Sequence, residues 1–300
     1  MTATGLLTVR ANLHDGAVDE LSVELRRPAV SQLFIGQVPE AVVKTMPYLY
    51  TLCAHAQRTA AQAALAAAAG DERRPLDNVA LWVELLHENL WRLLLDWPAA
   101  LGLLPAKAAF IAWRGERLGD NCVAETEKLL SGALGEAVEK CREKLVDRSN
   151  QTIEAMPDIS LAPADWLAYW QGGAQPLAQP PSSIVAAFES RLAATIAAAR
   201  ALAAGAAYPV AAAADANGRG VGQTLTARGV LTHAAHLVDG KVSHYRVWAP
   251  TDIFFADAAA LSALLAGRHF SSLIEARLGL EQAILALDPC LPYVVEQNNA

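Results

Sequence analysis

Two cysteines near opposite ends of the chain carry side chains suited to binding a soft metal. Cys53 lies in the segment LCAHAQRTAAQAAL, and Cys290 follows Asp288 and Pro289 in the segment ALDPCLPYVVEQNNA that ends the sequence. Thiolates are ligands for soft metals, and only the fold can bring these two together. A lone buried cysteine is also commonly a small hydrophobic side chain, so spacing by itself leaves both interpretations open.

The other two of the four cysteines give no sign of a metal site. Cys122 and Cys141 lie on a polar stretch without acidic or histidine partners at ligand spacing, and we assign them no role in binding. Because the four thiols are widely separated and form no C-x-x-C pair, they are typical of reduced cysteines in a cytoplasmic protein. The N-terminal segment has no basic region followed by an apolar core, so we expect no secretory signal.

Charge and hydropathy exclude several classes of partner. The chain has 300 residues, a net charge of −7 and no block of lysine or arginine, which argues against nucleic acid and anionic membranes. Its mean hydropathy of +0.22 comes largely from alanine. The apolar stretch from Ala201 to Ala214 contains Gly205 and Pro209 and is shorter than the ~20 residues of a spanning helix, so we expect no membrane span.

The polarity pattern predicts a helix-dominated α+β protein with a β-hairpin near each end. LLTVRANL and VDELSVEL form the first hairpin around Asp15-Gly16, and RGVLTHAAHLV and KVSHYRVWAP form the second around Asp239-Gly240. Periodicity and alanine content predict the helices between and after them. These are a helix up to Gly70 with a break near Pro47, one from Asn78 as N-cap to a stop at Pro98, one over Cys122 to Arg148, one over Ser183 to Gly205, and one ending at Leu287. Gln171 to Ser183 and the NGRGVG segment are predicted to be an irregular loop and a flexible turn.

Four features of the chain resemble, in order, the large subunit of nickel–iron hydrogenases. In that family an N-terminal hairpin precedes G-R-D-P and R-I-C-G-x-C-x-x-x-H, and P-R-G-A-x-x-H, D-G-K and V-P-S/T come before a terminal D-P-C-x-x-C-x-x-H. The hairpin is followed here by GQVPEAVVKTMPYLYTLCAHAQRTAAQAA, TARGVLTHAAHLVDGKVSHYRVWAPTDIFF and LDPCLPYVVE. The resemblance implies one domain over residues 1–300, with a truncated large-subunit-like fold in which the two hairpins flank a helical core.

Departures from the family pattern fall on residues that hydrogen activation needs. The family's nickel–iron site uses four thiolates, but here Tyr50 and Tyr293 each replace one cysteine of a pair, and we expect both tyrosines to fill the vacated volume. Gln57 and Glu296 stand where the family has histidine, and Ser31 stands roughly where it has a proton-passing glutamate. Since the sequence ends four residues after Glu296, we expect no C-terminal extension for a maturation protease to remove.

The resemblance therefore implies an accessory protein of the HupK/HoxV type and not an enzyme. Members of that family are identified with scaffolds on which the Fe(CN)2(CO) unit is assembled before it passes to the true large subunit. We expect a non-catalytic scaffold that binds this iron unit transiently, without nickel. The expected partners are hydrogenase maturation chaperones and the hydrogenase large subunit. The alternatives are a metal-free interaction protein of the maturation machinery and a minimal hydrogenase-like redox enzyme.

The same resemblance implies four site residues. Cys53 and Cys290 are the expected iron ligands, in one interior pocket near Arg228, although their non-equivalent positions in the two pairs leave open whether one iron binds both. Arg228 and Thr251 keep the residue types that donate hydrogen bonds to the two cyanides in large subunits. Without the resemblance, Arg228 is better interpreted as a bridge to a carboxylate and Thr251 as an ordinary turn or cap residue.

Overall fold

The computed structural model describes residues 5–14, 16–145, 160–176 and 179–299, which form two small β-sheets among many helices. The strands are β1 (Leu6–His14), β2 (Ala17–Arg26), β3 (Val210–Ala214), β4 (Arg219–Thr226), β5 (Gly229–Val238), β6 (Lys241–Trp248) and β7 (Tyr293–Asn299). The helices are α1 (Pro39–Leu49), α2 (Ala54–Ala69), α3 (Asn78–Trp91), α4 (Trp97–Ala100), α5 (Lys107–Glu116), α6 (Cys122–Leu129), α7 (Gly135–Lys144), α8 (Pro163–Trp170), α9 (Ile184–Ala203), α10 (Pro250–Phe254), α11 (Ala259–Leu265) and α12 (Leu273–Leu287). The predicted helix-dominated α+β class is confirmed.

The first sheet has the strand order β2-β1-β7 and joins the two ends of the chain. β1 and β2 form the predicted antiparallel hairpin; Asp15 of its turn lies outside the described residues. β7, which the sequence did not predict, runs parallel to β1 in a register that pairs Leu7 with Tyr293. Because β7 begins three residues after Cys290, this pairing returns the cysteine to the body of the protein.

The second sheet is antiparallel throughout, in the order β3-β4-β5-β6. Its β5–β6 hairpin was predicted, and Asp239 and Gly240 both have positive φ in the turn, at 50° and 72°. The NGRGVG segment was predicted to be a flexible turn, but β4 begins within it at Arg219. Its glycines are needed for packing, since a Cβ on Gly222 would lie 2.3 Å from the backbone nitrogen of Ala64 on α2. The alanine-rich α2 therefore lies directly on the sheet.

The predicted break near Pro47 occurs later in the chain. Pro47 lies inside α1, and the chain leaves regular helix from Tyr50 to Cys53 before α2 begins at Ala54. Cys53 thus occupies the N-cap position of α2, with φ of −123° and ψ of 47°. This irregular link places Tyr50 and Cys53 next to the end of α12 and not along one continuous helix.

The helix predicted from Asn78 differs at both ends. Asp77 is the N-cap, because its carboxylate accepts the backbone N–H of Ala80 at 2.9 Å. Pro98 does not stop the helix: a π-helical turn at Arg92–Asp96 follows α3, and Pro98 lies in the first turn of α4, where proline is tolerated. Such a turn re-aims the side chains that it carries.

The remaining predicted helices are present with changed bounds. The helix predicted over Cys122 to Arg148 is α6 and α7 joined by a π-helical turn at Leu130–Leu134, and its predicted end lies outside the described residues. Ser183 caps α9 as its hydroxyl accepts the N–H of Ala186 at 3.0 Å. The final helix is divided into α11 and α12. Within the described residues, no helix combines the length and apolarity that crossing a membrane requires.

Candidate functional site

Arg228 projects from the β4–β5 turn into the space between α3 and the end of α12. Its Nη2 donates to Glu88 Oε2 at 3.1 Å, and its Nε donates to the backbone oxygen of Asp288 at 3.0 Å. The side chain is 4% exposed. Arg228 therefore bridges the hairpin to carboxylates, as its residue type alone predicted, while Nη1 makes no hydrogen bond to any residue that the structure describes.

Asp288 ends α12 in a left-handed conformation, with φ of 47°, and is buried among three guanidinium groups. Oδ1 accepts from Arg92 Nε at 2.7 Å, Oδ2 accepts from Arg191 Nη2 at 2.8 Å, and Arg228 Nε lies 3.4 Å from Oδ2. Burial would raise the pKa of Asp288, but the guanidinium groups, Arg191 foremost, hold it well below its usual range. The carboxylate thus stays charged and fixes the chain immediately before Cys290.

Cys290 is held by its backbone and covered at its sulfur. Its N–H donates to the hydroxyl of Thr251 at 3.1 Å, and Thr251 itself is fully buried in α10. Its Sγ accepts from Arg27 Nη2 at 3.3 Å. Thr251 thus positions Cys290, because its hydroxyl oxygen accepts the backbone N–H of that residue. The hydroxyl proton of Thr251 is left free to donate to another group.

Cys53 receives a hydrogen bond from a buried chain of polar groups. Gln57 Nε2 donates to Cys53 Sγ at 3.6 Å, and Gln57 Oε1 lies 2.8 Å from His233 Nε2. Because Gln57 Oε1 can only accept, His233 Nε2 carries the proton and donates to it, and Nδ1 accepts from the hydroxyl of Tyr245 at 2.7 Å. Burial, and then the charge of Cys290, raise the pKa of the Cys53 thiol to about 12. The free thiol is therefore protonated at neutral pH.

His233 gives a pH-dependent prediction for stability. Burial lowers its pKa to about 3, whereas an exposed histidine titrates near ~6.5. The unfolded chain therefore binds the extra proton first, so the contribution of neutral His233 is complete above pH ~6.5 and is lost as pH falls toward 3. We expect the unfolding free energy to fall by about 2 kcal/mol from this group between pH 6.5 and 5.

The unfolding free energy of the wild type and of His233→Gln, measured in urea at pH 7 and pH 5, isolates this contribution. Glu84 acts in the opposite direction, because burial raises its pKa to about 7 and so favours folding at lower pH. Glu84 is present in both chains, and its effect cancels in the difference. Equal pH dependence in the two chains would show that His233 can be protonated in the folded state.

A small cavity joins two of the predicted site residues. Its lining includes Cys53, Glu84, Glu88, Tyr208, Thr226 and Arg228, and it has room for about one water molecule. The carboxylate of Glu84 accepts the backbone N–H groups of His55 and Ala56 at 2.7 and 2.9 Å, at the N-terminus of α2. Cys53 therefore lies at the start of α2, whose first N–H groups donate to Glu84, and it shares the cavity with the Arg228 guanidinium.

We expected both sulfurs in one pocket near Arg228, but only Cys53 lines it. Cys53 and Arg228 line the cavity, whereas Cys290 lies beside it with its sulfur against Arg27. The three groups remain linked, since Arg228 shares the cavity with Cys53 and its Nε donates to the backbone oxygen of Asp288, two residues before Cys290. Within the described residues, no group of three or more His, Cys, Asp or Glu side chains is arranged to hold a metal ion.

The two tyrosines that replace cysteines differ in position. Tyr50 lies near Cys53, Cys290 and Arg27, and burial raises its pKa to about 12. Tyr293 is 41% exposed, so the prediction that it fills the pocket is wrong. As the first residue of β7 it is fixed by pairing with β1, and its exposed side chain lies outside the pocket. Restoring cysteine at position 293 would therefore not complete a four-thiolate site.

Sequence reasoning missed most of the charged residues around Asp288 and Cys53. Arg27 and Arg191 lie on elements distant in sequence, and no local pattern marks them. A signal was present on α3 and its π-helical extension, where Glu84, Glu88 and Arg92 recur every four residues within a largely apolar helix. Charged residues at this spacing lie on one face of a helix, and a charged row on a buried helix indicates a buried polar site.

Comparison with known sequences identifies the family. No protein-family model matches the chain. The chain is 31% identical to the hydrogenase expression/formation protein HupK of Azotobacter vinelandii, over 97% of this chain and 98% of HupK. The chain belongs to the HupK/HoxV family. It is also 29% identical to the hydrogenase expression/formation protein HupV of Azotobacter chroococcum mcd 1, with 97% and 98% coverage.

Solved structures show that this HupK/HoxV-family chain has a nickel–iron hydrogenase large-subunit-like fold. The nickel–iron–selenium hydrogenase of D. vulgaris Hildenborough in the reduced state matches with a TM-score of 0.63 and 14% identity, over 93% of this chain and 94% of that chain. An NAD+-reducing nickel–iron hydrogenase in the H2-reduced state matches with a TM-score of 0.56 and 15% identity, over 92% and 93%. At these identities the likeness concerns the fold alone.

Proposed function

We propose that this chain is a non-catalytic scaffold in nickel–iron hydrogenase maturation, which holds the Fe(CN)2(CO) unit during assembly and passes it to the hydrogenase large subunit. The names of its relatives describe the coarser role, in hydrogenase expression or formation. The observation that supports the finer role is the shared cavity of Cys53 and Arg228. It joins a soft-metal ligand to a buried cationic hydrogen-bond donor, and a cyanide-bearing iron needs both.

The chemistry of the side chains fits such a cargo. An iron-bound cyanide is an anionic acceptor, and Arg228 Nη1 and the Thr251 hydroxyl proton are the donors that the protein leaves to it. A hydrogen bond from a charged donor stabilises such an acceptor by roughly 1.5–3 kcal/mol. The iron brings two cyanides and one carbonyl of its own, so the protein needs to supply few ligands. One or two thiolates, from Cys53 and Cys290, fulfil that need.

Loading requires the site to change. The cavity admits about one water molecule, which is less than the volume of the iron unit, so the walls must move apart. The irregular link from Tyr50 to Cys53 forms one side of the site. Its ends are held by the bonds from Tyr50 N–H to Met46 O and from Gln57 N–H to Cys53 O, while Thr51 and Leu52 lie outside both helices. The Cys53 thiol must also lose a proton that burial favours, and this cost weakens the iron–sulfur bond. A weaker bond suits a protein that later gives the iron away.

The residues do not favour the enzymatic alternative. The family's hydrogen-activating site needs four thiolates, and this chain has tyrosine at two of those positions, one of them on the surface. Ser31, at the position of the proton-passing glutamate, lies in a short 3-10 helix at Val30–Phe34. We therefore propose that the chain binds the iron unit as cargo, and that its partners are maturation chaperones and the large subunit.

Cysteine replacement tests this function in a strain that lacks the chain. We expect Cys53→Ala to abolish both iron retention and hydrogenase maturation, and Cys290→Ala to reduce both. Cys122→Ala, which removes a buried thiol on α6, is the matched control and should support normal maturation. If the Cys53→Ala, Cys290→Ala double variant still restores maturation, the chain is a metal-free interaction protein. Stoichiometric nickel, or hydrogen-dependent dye reduction, would instead support an enzyme.

A further inference from the structure

Arg27 places a fixed positive charge against the sulfur of Cys290. It follows β2 directly, and its Nη2 lies 3.3 Å from Cys290 Sγ. On the same guanidinium, Nε lies 2.5 Å from Asp252 Oδ1, on α10. The exposed fractions of the Arg27 and Asp252 side chains are 29% and 30%, so the pair lies at the outer edge of the site. Arg27 thus covers Cys290 on the side that faces solvent.

The groups around Arg27 are those that would otherwise attract a metal ion. Cys290 supplies a thiol and Asp252 supplies a carboxylate, and the Arg27 guanidinium contacts both. An arginine guanidinium is not deprotonated in proteins. The guanidinium therefore remains protonated and satisfies the carboxylate. An arriving divalent ion would meet a like charge where it needs ligands.

We propose that Arg27 is a specificity-determining residue, whose guanidinium occupies the cation position at Cys290 and keeps divalent metal ions from that thiol and from Asp252. The inference rests on the proposed function for its purpose, which is to leave the site to the Fe(CN)2(CO) unit and exclude nickel. The two cyanides offset the charge of iron(II) and accept hydrogen bonds, so a guanidinium does not repel this unit as it repels a bare divalent ion. Arg27 thereby discriminates by charge between two metals that both favour thiolates.

The test uses the full-length protein without its iron unit, produced in cells that lack the hydrogenase maturation genes. Cd²⁺ alone is the probe, because its bonds to thiolate sulfur give an ultraviolet charge-transfer absorption, and each thiol that binds releases its proton to the buffer. We expect Arg27→Gln to bind Cd²⁺ at least about tenfold more tightly than the wild type. The gain should disappear in the Arg27→Gln, Cys290→Ser double variant.

Arg26→Gln is the matched control, since it removes the neighbouring arginine, whose 72% exposed side chain pairs with Glu24. It should bind Cd²⁺ like the wild type. Arg27→Lys keeps the charge and should also resemble the wild type, while Arg27→Met gives a second uncharged chain if Arg27→Gln does not fold. Equal Cd²⁺ affinity in the wild type and the uncharged variants would overturn the proposal, as would a gain that persists without Cys290. Neither result bears on the iron unit, which is absent from the experiment.

Discussion

Replacing Asp288 with asparagine is expected to destabilise the chain by about 3–5 kcal/mol, because it leaves buried guanidinium groups without their shared counter-charge. Asparagine has nearly the same volume as aspartate, so the loss is electrostatic and not the result of a cavity. Arg191 is affected most, since its 8% exposed side chain has only Asp288 and the neutral Asn89 as hydrogen-bond partners among the described residues. Urea denaturation of the two chains at pH 7 measures the difference.

The exposed Asp71 provides the control, and Asp71→Asn should change stability by no more than about 0.5 kcal/mol. The pH dependence has a defined sign. Since the folded-state pKa of Asp288 is depressed, its contribution is complete above the unfolded-state value of ~3.9 and is lost as pH falls below it. Asp288→Asn should therefore reduce the loss of stability in acid. A variant within 1 kcal/mol of the wild type would contradict the assigned role.

Arg228→Leu is expected to lower both the stability of the fold and the retention of the iron unit. The side chain of Arg228 is buried between Glu88 and Asp288, so the fold also depends on it. Asp288 keeps Arg92 and Arg191 after the change, whereas Glu88 loses its guanidinium. We expect a loss of about 3 kcal/mol, at the lower end for breaking a buried pair. The predicted loss of the cyanide donor adds a failure to retain iron.

Arg228→Lys separates the two effects, because it keeps the charge near Glu88 but cannot reproduce the fork that serves Glu88 and Asp288 at once. We expect it to recover part of the stability while iron retention stays low. The iron content and the urea midpoint of the wild type, Arg228→Leu and Arg228→Lys, measured on the same preparations, distinguish the loss of stability from the loss of iron binding. If Arg228→Leu keeps wild-type iron with unchanged CN bands, Arg228 is a structural residue only.

Local signals were enough to predict the hairpins and most of the helices. Asp239-Gly240 adopts the left-handed turn that its residue types favour, and the alternating strands beside it follow from local pattern. β7 was missed because its partner is β1, and parallel pairing between chain ends leaves no trace in a short polar segment such as VEQNN. The NGRGVG segment was misinterpreted for a related reason, since its glycines serve packing against α2 and not a turn.

Only the site residues that lie within the family's motifs were predicted. Cys53, Cys290, Arg228 and Thr251 were identified from the resemblance, and the structure brings them near one another. The sequence did not show that Tyr293 is exposed or that Cys290 lies beside the cavity, because the register of β7 decides both. The arginines around Asp288 come from a π-helical turn, from α9 and from the β4–β5 turn, and only tertiary packing brings them to one carboxylate.

An infrared spectrum of the protein tests the central proposal most directly. The chain would be isolated without oxygen from cells that contain the complete maturation machinery, and the same sample would be analysed for iron and nickel. The proposed scaffold function predicts CN and CO stretching bands, iron without nickel, and loss of the bands in Cys53→Ala. A wild-type sample without CN and CO bands, or one whose bands persist in Cys53→Ala, would contradict it.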